Sequence, residues 1–245
     1  MRAVRALVVI PTFNEAASIE EVLDRVLATS SDVAVLVVDD GSPDGTGDIV
    51  RRRIGGRLQS LYRDAKRGLG RAYIDGFSWG LERGFDRFLE MDADLSHDPG
   101  AIPALLEATE RCDLAIGSRY VEGGAVEGWS TSRRILSQAG NLYVRLALGL
   151  PVKDSTSGFR CYRRSVLEAI GIETVRSEGY AFQIELTYRT WQLGLSIREV
   201  PITFRERSEG QSKMSRSIVT EAVVAVARWG IRDLTQGSRR RRRLG

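Results

Sequence analysis

Histidine is almost missing from this 245-residue chain, with His97 standing alone. A zinc site built on several histidines is therefore excluded, and any Ser-His-Asp triad would have to use that one ring. Cysteine is nearly as scarce. Cys112 and Cys161 lie far apart without Cys-x-x-Cys spacing. That pattern argues against a disulfide framework and for two reduced thiols in or near a core, as in a cytosolic compartment. Long apolar runs are also absent. Leu7 to Ile10 ends at Pro11 and is too short for the apolar region of a secretory signal. The best candidate for a membrane span, Ile218 to Ile231, has 14 residues and carries Glu221 and Arg228. Crossing a bilayer takes roughly 20 apolar residues.

The folded body lacks an excess of either charge. The chain has 36 basic and 32 acidic residues, net +4, but five of the basic ones are Arg239 to Arg243. Without those five, 31 basic residues face 32 acidic ones. A basic face with interleaved aromatics, as nucleic-acid binding by the body would need, is not visible. A non-catalytic module binding nucleic acid through the arginine tail alone is a remote alternative. Hydrophobic residues make up 42% and charged residues 28%, a soluble globular composition. The length suits one α/β domain with a substantial core, or such a domain plus a short appendage.

The first half alternates strand and helix patterns. Strands are expected at Ala6–Ile10, Val33–Val38, Arg57–Tyr62, Phe85–Met91 and Asp113–Ile116. Helices are expected over Glu15–Ala28 with Asn14 as N-cap, from the turn at Gly45 to about Arg53, over Arg71–Arg83, and from Pro99 to about Glu110. This repetition predicts an α/β fold with a mostly parallel central sheet flanked by helices. The second half reads as a helix over Thr131–Leu148, a short strand at Phe159–Tyr162, a buried helix over Tyr180–Leu193, one strand over Ser196–Arg205 and a helix over Met214–Leu234.

The most telling stretch is Phe88-Leu89-Glu90-Met91-Asp92-Ala93-Asp94, an apolar strand delivering two carboxylates at its end. On an extended backbone, side chains at i and i+2 share a side, so Asp92 and Asp94 are expected to converge on one point. A hard divalent cation bridging to substrate phosphates suits such a pair. Asp39-Asp40-Gly41-Ser42 follows another apolar strand. Two acidic strand ends in one sheet point to a phosphate-bearing ligand at the sheet's carboxyl edge. Phe13 and Glu15 after the first strand offer a flat face and an acceptor, as a nucleotide base requires. Gly68-Leu69-Gly70 lacks the third glycine of a dinucleotide fingerprint and does not follow the first strand, so a dinucleotide site is rejected. Glu185 and Arg189 sit one helical turn apart, as an ion pair would.

Six motifs occur in order: Val9-Ile10-Pro11-Thr12-Phe13-Asn14-Glu15, Val37-Val38-Asp39-Asp40-Gly41-Ser42, Gly68-Leu69-Gly70-Arg71-Ala72, Asp92-Ala93-Asp94-Leu95-Ser96-His97, Gly117-Ser118-Arg119-Tyr120 and Ser157-Gly158-Phe159-Arg160. Together they resemble the family 2 inverting glycosyltransferases of the GT-A fold, and within it the branch of dolichol-phosphate (polyprenol-phosphate) mannose synthases. The resemblance implies a Rossmann-like GT-A domain over residues 5–213, followed by an amphipathic helix over 214–234 and a basic disordered tail over 235–245.

It also implies a function: transfer of mannose from GDP-mannose to a polyprenyl or dolichyl phosphate with inversion. An alternative keeps the acceptor and uses UDP-glucose. By the same resemblance Pro11, Phe13, Glu15, Val38 and Asp40 bind the nucleoside. Asp92, Ala93 and Asp94 hold the nucleotide sugar and a Mg²⁺ or Mn²⁺ ion, with Ser96 standing where some relatives carry a glutamine ligand. Arg119, Arg133, Ser137, Arg207 and Lys213 face the phosphates of donor or acceptor. The implied setting is the cytoplasmic face of a membrane. Most of the last helix is expected to pack on the catalytic domain, with the arginine tail drawn to anionic headgroups, and a separate membrane-anchoring subunit is a further route of peripheral attachment.

Overall fold

The computed structural model describes residues 5–206 and 216–235. Strands β1 (Ala6–Thr12), β2 (Val33–Asp39), β3 (Leu58–Tyr62) and β4 (Arg87–Glu90) run parallel to one another. β5 (Leu114–Ser118) pairs parallel with β8 (Ile197–Pro201), and β7 (Arg160–Arg163) lies antiparallel between β4 and β5. These seven strands form one sheet in the order β3-β2-β1-β4-β7-β5-β8. β6 (Ala125–Glu127) and β9 (Thr203–Arg205) make a separate parallel pair.

Both faces of the large sheet are covered, which is why its central strands read as unbroken apolar runs. In β1, Leu7 and Val9 enter one core while Ala6, Val8 and Ile10 enter the other. The second core is closed by α1 (Ile19–Leu27), α2 (Thr46–Arg53) and α4 (Ile102–Arg111). The first is closed by α3 (Leu69–Glu82), α6 (Arg164–Ile170) and α7 (Gly179–Gln192), with α5 (Thr131–Leu148) and α8 (Arg216–Thr235) at its margin. α3 lies very close to the sheet because it presents Gly76 and Gly80. A Cβ on Gly80 would stand 2.6 Å from both Leu7 Cδ2 and Phe88 Cε1. Asp98 caps the 3₁₀ turn before α4 by accepting from Gly100 N–H, and Arg189 pairs with Glu185 at 2.5 Å.

Three sequence expectations need correction. β4 ends at Glu90, so Asp92 and Asp94 lie beyond the strand, with Asp94 in a bend over 93–95. α1 begins only at Ile19, because Asn14 adopts a left-handed φ of 59° and its N–H bonds Ser42 Oγ. The stretch Ser196–Arg205 is two strands in two sheets, broken at buried Ile202, whose N–H and C=O bond Ser118 and Ala125. α8 packs on α5 and α7, with Val226 fully buried and Trp229 stacked on Tyr188 at 5.8 Å.

Both cysteines are buried, and burial pushes the Cys161 thiol up to about 12. Neither should be alkylated by iodoacetamide at pH 8 in the native protein, whereas both should react in denaturant, as read by intact mass. Gly80→Val should destabilise the fold by about 1–3 kcal/mol through overpacking against Leu7 and Phe88, measured as a lowered urea midpoint.

Candidate active site

The chain turns to opposite sides of β1: β2 and β3 lie on one side, β4 on the other. Loops leaving β1 and β4 therefore part at their carboxyl ends and open a crevice, the usual ligand position in such sheets. Two loops beside it are tied together by side chains. Asp39 accepts from Thr12 Oγ1 at 2.8 Å and from Ser42 Oγ at 2.6 Å. Glu15 N–H bonds Thr46 Oγ1 and Ala16 N–H bonds Asp44 Oδ2, at 2.9 and 3.0 Å. Burial alone would raise the Asp44 pKa, but hydrogen bonds from Thr46 and the Ala16 N–H outweigh it and lower the value. Ser18 Oγ then donates to Ala93 C=O at 2.6 Å, linking the β1 loop to the Asp92–Asp94 bend.

Phe13 lies on this rim, with Lys66 Nζ 4.2 Å from its ring centroid. Pro11 and Glu15 are half-buried beside it. Val38 is fully buried in the core, so its side chain does not face the crevice. Asp40, also buried, stands 3.2 Å from Arg63 Nε and accepts from Arg67 N–H. Burial raises its pKa, with Arg63 opposing. Arg63 reaches Asp75 as well, at 3.6 Å.

Asp92 keeps 29% of its side chain exposed and approaches His97 Nε2 at 3.6 Å, whereas Asp94 is buried and accepts from Ser96 N–H at 3.0 Å. Leu95 between them and His97 is held at a left-handed φ of 61°. For a side chain branched at Cγ that conformation costs about 1–2 kcal/mol, maintained here by the surrounding contacts. His97 is packed between Phe159 and Phe204, centroids 5.1 and 5.3 Å away. Ser96 Oγ is buried with no hydrogen-bond partner among the described residues. Two carboxylates and a hydroxyl are oxygen donors of the kind Mg²⁺ or Mn²⁺ takes. No group of three or more His, Cys, Asp or Glu among the described residues could enclose an ion unaided. That combination fits a cation shared with substrate phosphates rather than one caged by protein.

Beneath the bend lies a buried ionic layer. Arg160 is fully buried and donates to Ser155 C=O and Ser157 C=O at 2.6 Å, Gln183 C=O at 2.8 Å and Thr187 Oγ1 at 2.9 Å. Glu90, equally buried, accepts from Tyr162 OH at 3.2 Å. Burial pushes its pKa up to about 7, against the opposing pull of Arg160, Gln183 and Tyr162.

Three of the expected phosphate-binding side chains, Arg119, Arg133 and Ser137, form a second group linked through Tyr120 and Trp129. Arg119 is buried and its Nε and Nη2 both bond Asp154, at 2.7 and 2.6 Å. Nη2 also bonds Thr156. Burial alone would depress its pKa, but the adjacent Asp154 charge prevails and raises it. Arg133 pairs with Glu206 at 2.5 Å and lies 4.3 Å over the Trp129 ring. Ser137 accepts from Tyr120 OH at 2.7 Å. Arg207 and Lys213 lie outside the described residues.

Sequence reasoning missed Arg63, Asp154 and Glu178. Asp154 and Glu178 are tied to partners 35 and 108 residues away, which no local pattern reveals. Glu178 explains the incomplete glycine fingerprint, because its carboxylate accepts from Gly70 N–H at 2.9 Å at the start of α3. A Cβ on Gly68 would meet that carboxylate at 2.5 Å. The anion position at this helix end is thus filled by the protein itself.

Residues 7–171 match the family described as "Glycosyl transferase family 2". The chain is 52% identical over 239 residues to an "Undecaprenyl-phosphate mannosyltransferase" of Micrococcus luteus, covering 97% of this chain and 98% of that one. It is 50% identical over 232 residues to a "Polyprenol monophosphomannose synthase" of Mycolicibacterium smegmatis, covering 93% and 88%. Among solved structures it is similar to glucosyl-3-phosphoglycerate synthase of Mycobacterium tuberculosis with phosphoglyceric acid. That match has a TM-score of 0.71 at 20% identity, covering 91% of this chain and 79% of that one. The same enzyme with Mn²⁺, UDP-glucose and phosphoglyceric acid gives 0.68 at 22%, covering 91% and 80%. At that identity the likeness establishes the GT-A fold alone.

Removing one partner of the Arg119–Asp154 pair leaves a buried charge uncompensated. Asp154→Ala should therefore cost about 3–5 kcal/mol in a urea titration. Arg133→Ala, which breaks a partly exposed pair, should cost no more than about 1 kcal/mol.

Proposed function

The chain belongs to glycosyl transferase family 2, and from that membership we propose that it transfers mannose from GDP-mannose to a polyprenyl phosphate with inversion, releasing GDP. The observation that carries this reading is the 52% identity to an undecaprenyl-phosphate mannosyltransferase along essentially the full length of both chains. A non-catalytic nucleic-acid module does not fit that relationship. UDP-glucose as donor is disfavoured, because both relatives above are named for mannose.

The chemistry asks little proton transfer of the protein. A phosphate monoester has a second pKa near 6, so its oxygen is largely dianionic at neutral pH and attacks the anomeric carbon without a general base. The new bond forms between that oxygen and C1 of the sugar as the bond from C1 to the diphosphate breaks. The only histidine is buried between two phenylalanines beside Asp92, in keeping with a supporting role. The difficulty is charge, since two anions must meet and a diphosphate must depart. When bound at Asp92, Asp94 and Ser96, Mg²⁺ or Mn²⁺ supplies neutralisation of that leaving group.

Pro11, Phe13, Glu15 and Asp40 line the nucleoside side of the crevice, and Val38 contributes backbone. Arg119 already gives two nitrogens to Asp154, so it acts largely by fixing the wall that Arg133 and Ser137 share. Arg207 and Lys213 complete the phosphate-facing set. Because the acceptor is lipid, the reaction belongs at a membrane surface, for which we propose the cytoplasmic face. Among the described residues no helix is long and apolar enough to cross the bilayer. Attachment is then peripheral, or by way of a separate anchoring subunit.

Incubating the purified chain with GDP-mannose or UDP-glucose and a short polyprenyl phosphate, then weighing the glycolipid, tests the assignment. A mannolipid is expected from GDP-mannose, and absence of product with either donor would refute it. Asp94→Ala should lower metal-dependent turnover by at least about a hundredfold with an unchanged far-ultraviolet spectrum. Near-normal turnover would remove Asp94 from the metal site.

A further inference from the structure

Gly158 is a glycine that neither crowding nor backbone conformation explains. Its φ lies outside the left-handed region, and a Cβ there would meet Asp92 Oδ2 at an ordinary 3.7 Å. Gln183 Nε2 follows at 3.9 Å. The side chain that is missing would therefore stand between a carboxylate and an amide. Gly158 is only half-buried and Asp92 keeps 29% of its side chain exposed, so the notch is open from outside.

The inner wall of the notch carries polar atoms that the protein does not satisfy. Gln183 is 3% exposed; its amide supports the Glu90 carboxylate, yet its Oε1 has no hydrogen-bond partner among the described residues. Tyr73 is fully buried, and its hydroxyl is likewise unpartnered among them. Burial, and then the charges of Asp92 and Glu90, push the pKa of that hydroxyl well above its ordinary value, which sets it close to both carboxylates. Each such orphaned group costs about 1–3 kcal/mol until something supplies the bond. The wall is also firmly held. Tyr73 stacks on Phe182, the neighbour of Gln183, with centroids 6.0 Å apart and planes 7° from parallel. Glu178 fastens the start of α3 to the start of α7 through Gly70 N–H.

We infer that this notch receives the hexose of the nucleotide sugar, with Gln183 and Tyr73 as sugar-contacting residues beside Asp92. A hexose suits it chemically. Hydroxyls both donate and accept, so neighbouring ones can serve an amide oxygen, a phenol and a carboxylate together. An anion would fare badly here. Arg160 is already bound to three carbonyls, and Glu90 and Asp92 would repel a phosphate. The absent side chain at position 158 leaves room for close approach of the ring. Discrimination among sugars then has a physical source, because a wrong hydroxyl pattern leaves buried polar groups unpaired. This inference rests on the reading of the Asp92–Asp94 bend as the nucleotide-sugar site.

The test is calorimetric titration of the full chain with GDP and with GDP-mannose, each in the presence of Mg²⁺. Tyr73→Phe removes only an unpartnered hydroxyl, so its melting temperature should not fall. It should bind GDP-mannose about tenfold more weakly than the wild type and GDP equally well. Gly158→Ala, whose methyl group fits the fold but occupies the notch, should show the same split. Two variants that bind GDP-mannose as tightly as the wild type would overturn the inference, leaving water as the occupant. Equal weakening of GDP and GDP-mannose would overturn it as well, since the loss would then lie outside the sugar. Failure of the wild type to bind GDP would overturn the nucleotide-sugar reading and this inference with it. The expected split without any glycolipid product would support the hexose site and refute the transfer reaction.

Discussion

A fully buried guanidinium underlies the architecture. Arg160 sits where β7 runs antiparallel between β4 and β5, and it spends its donors on the carbonyls of Ser155, Ser157 and Gln183 and on Thr187. A charge in that position is tolerable only because nearly every donor is satisfied. One side chain thereby ties the loop before β7 to the body of α7. Glu90, the last residue of β4, shares this layer through Tyr162. The Asp92–Asp94 bend springs directly from that strand end, so a polar layer of fixed geometry is the floor on which the acidic pair stands.

The two adjacent aspartates after β2 divide the work. Asp39 faces its neighbours and fastens the β1 and β2 loops through Thr12 and Ser42. Asp40 is buried and turned to Arg63 and the Arg67 N–H. Ser18 carries the same lattice across to Ala93. The loops after β1 and β2 and the acidic bend are therefore one hydrogen-bonded unit, and displacement of either part is felt at the other.

Much of this was legible in the residues. Strands with both faces buried announce themselves as apolar runs, so β1, β2 and their pairing partners fell close to where periodicity put them. The acidic strand ends marked the crevice because the sheet delivers such ends to one edge. What escaped was set by distant partners. Arg119 reads as a free cation until Asp154, 35 residues on, occupies it. Gly68 and Gly70 read as a broken phosphate loop until Glu178 fills the helix end. Asn14 suits an N-cap by type, yet the bond from its N–H to Ser42 and its left-handed backbone delay α1 to Ile19. That Ile135, Leu142 and Leu146 of α5 point outward was not legible, because periodicity tells which residues share a side and not which side meets the core.

Leu95, with its left-handed backbone beside Asp94, has a consequence for how such a protein can adapt. Glycine would relax the conformation by about 1–2 kcal/mol, but it would also remove a side chain that packs against the second core, a contact of comparable worth. The same exchange would free the backbone that aims the acidic pair. Core packing and the aim of the acidic bend thus rest on one strained residue, so relief of the strain is offset at its own position and the turn has no easy replacement.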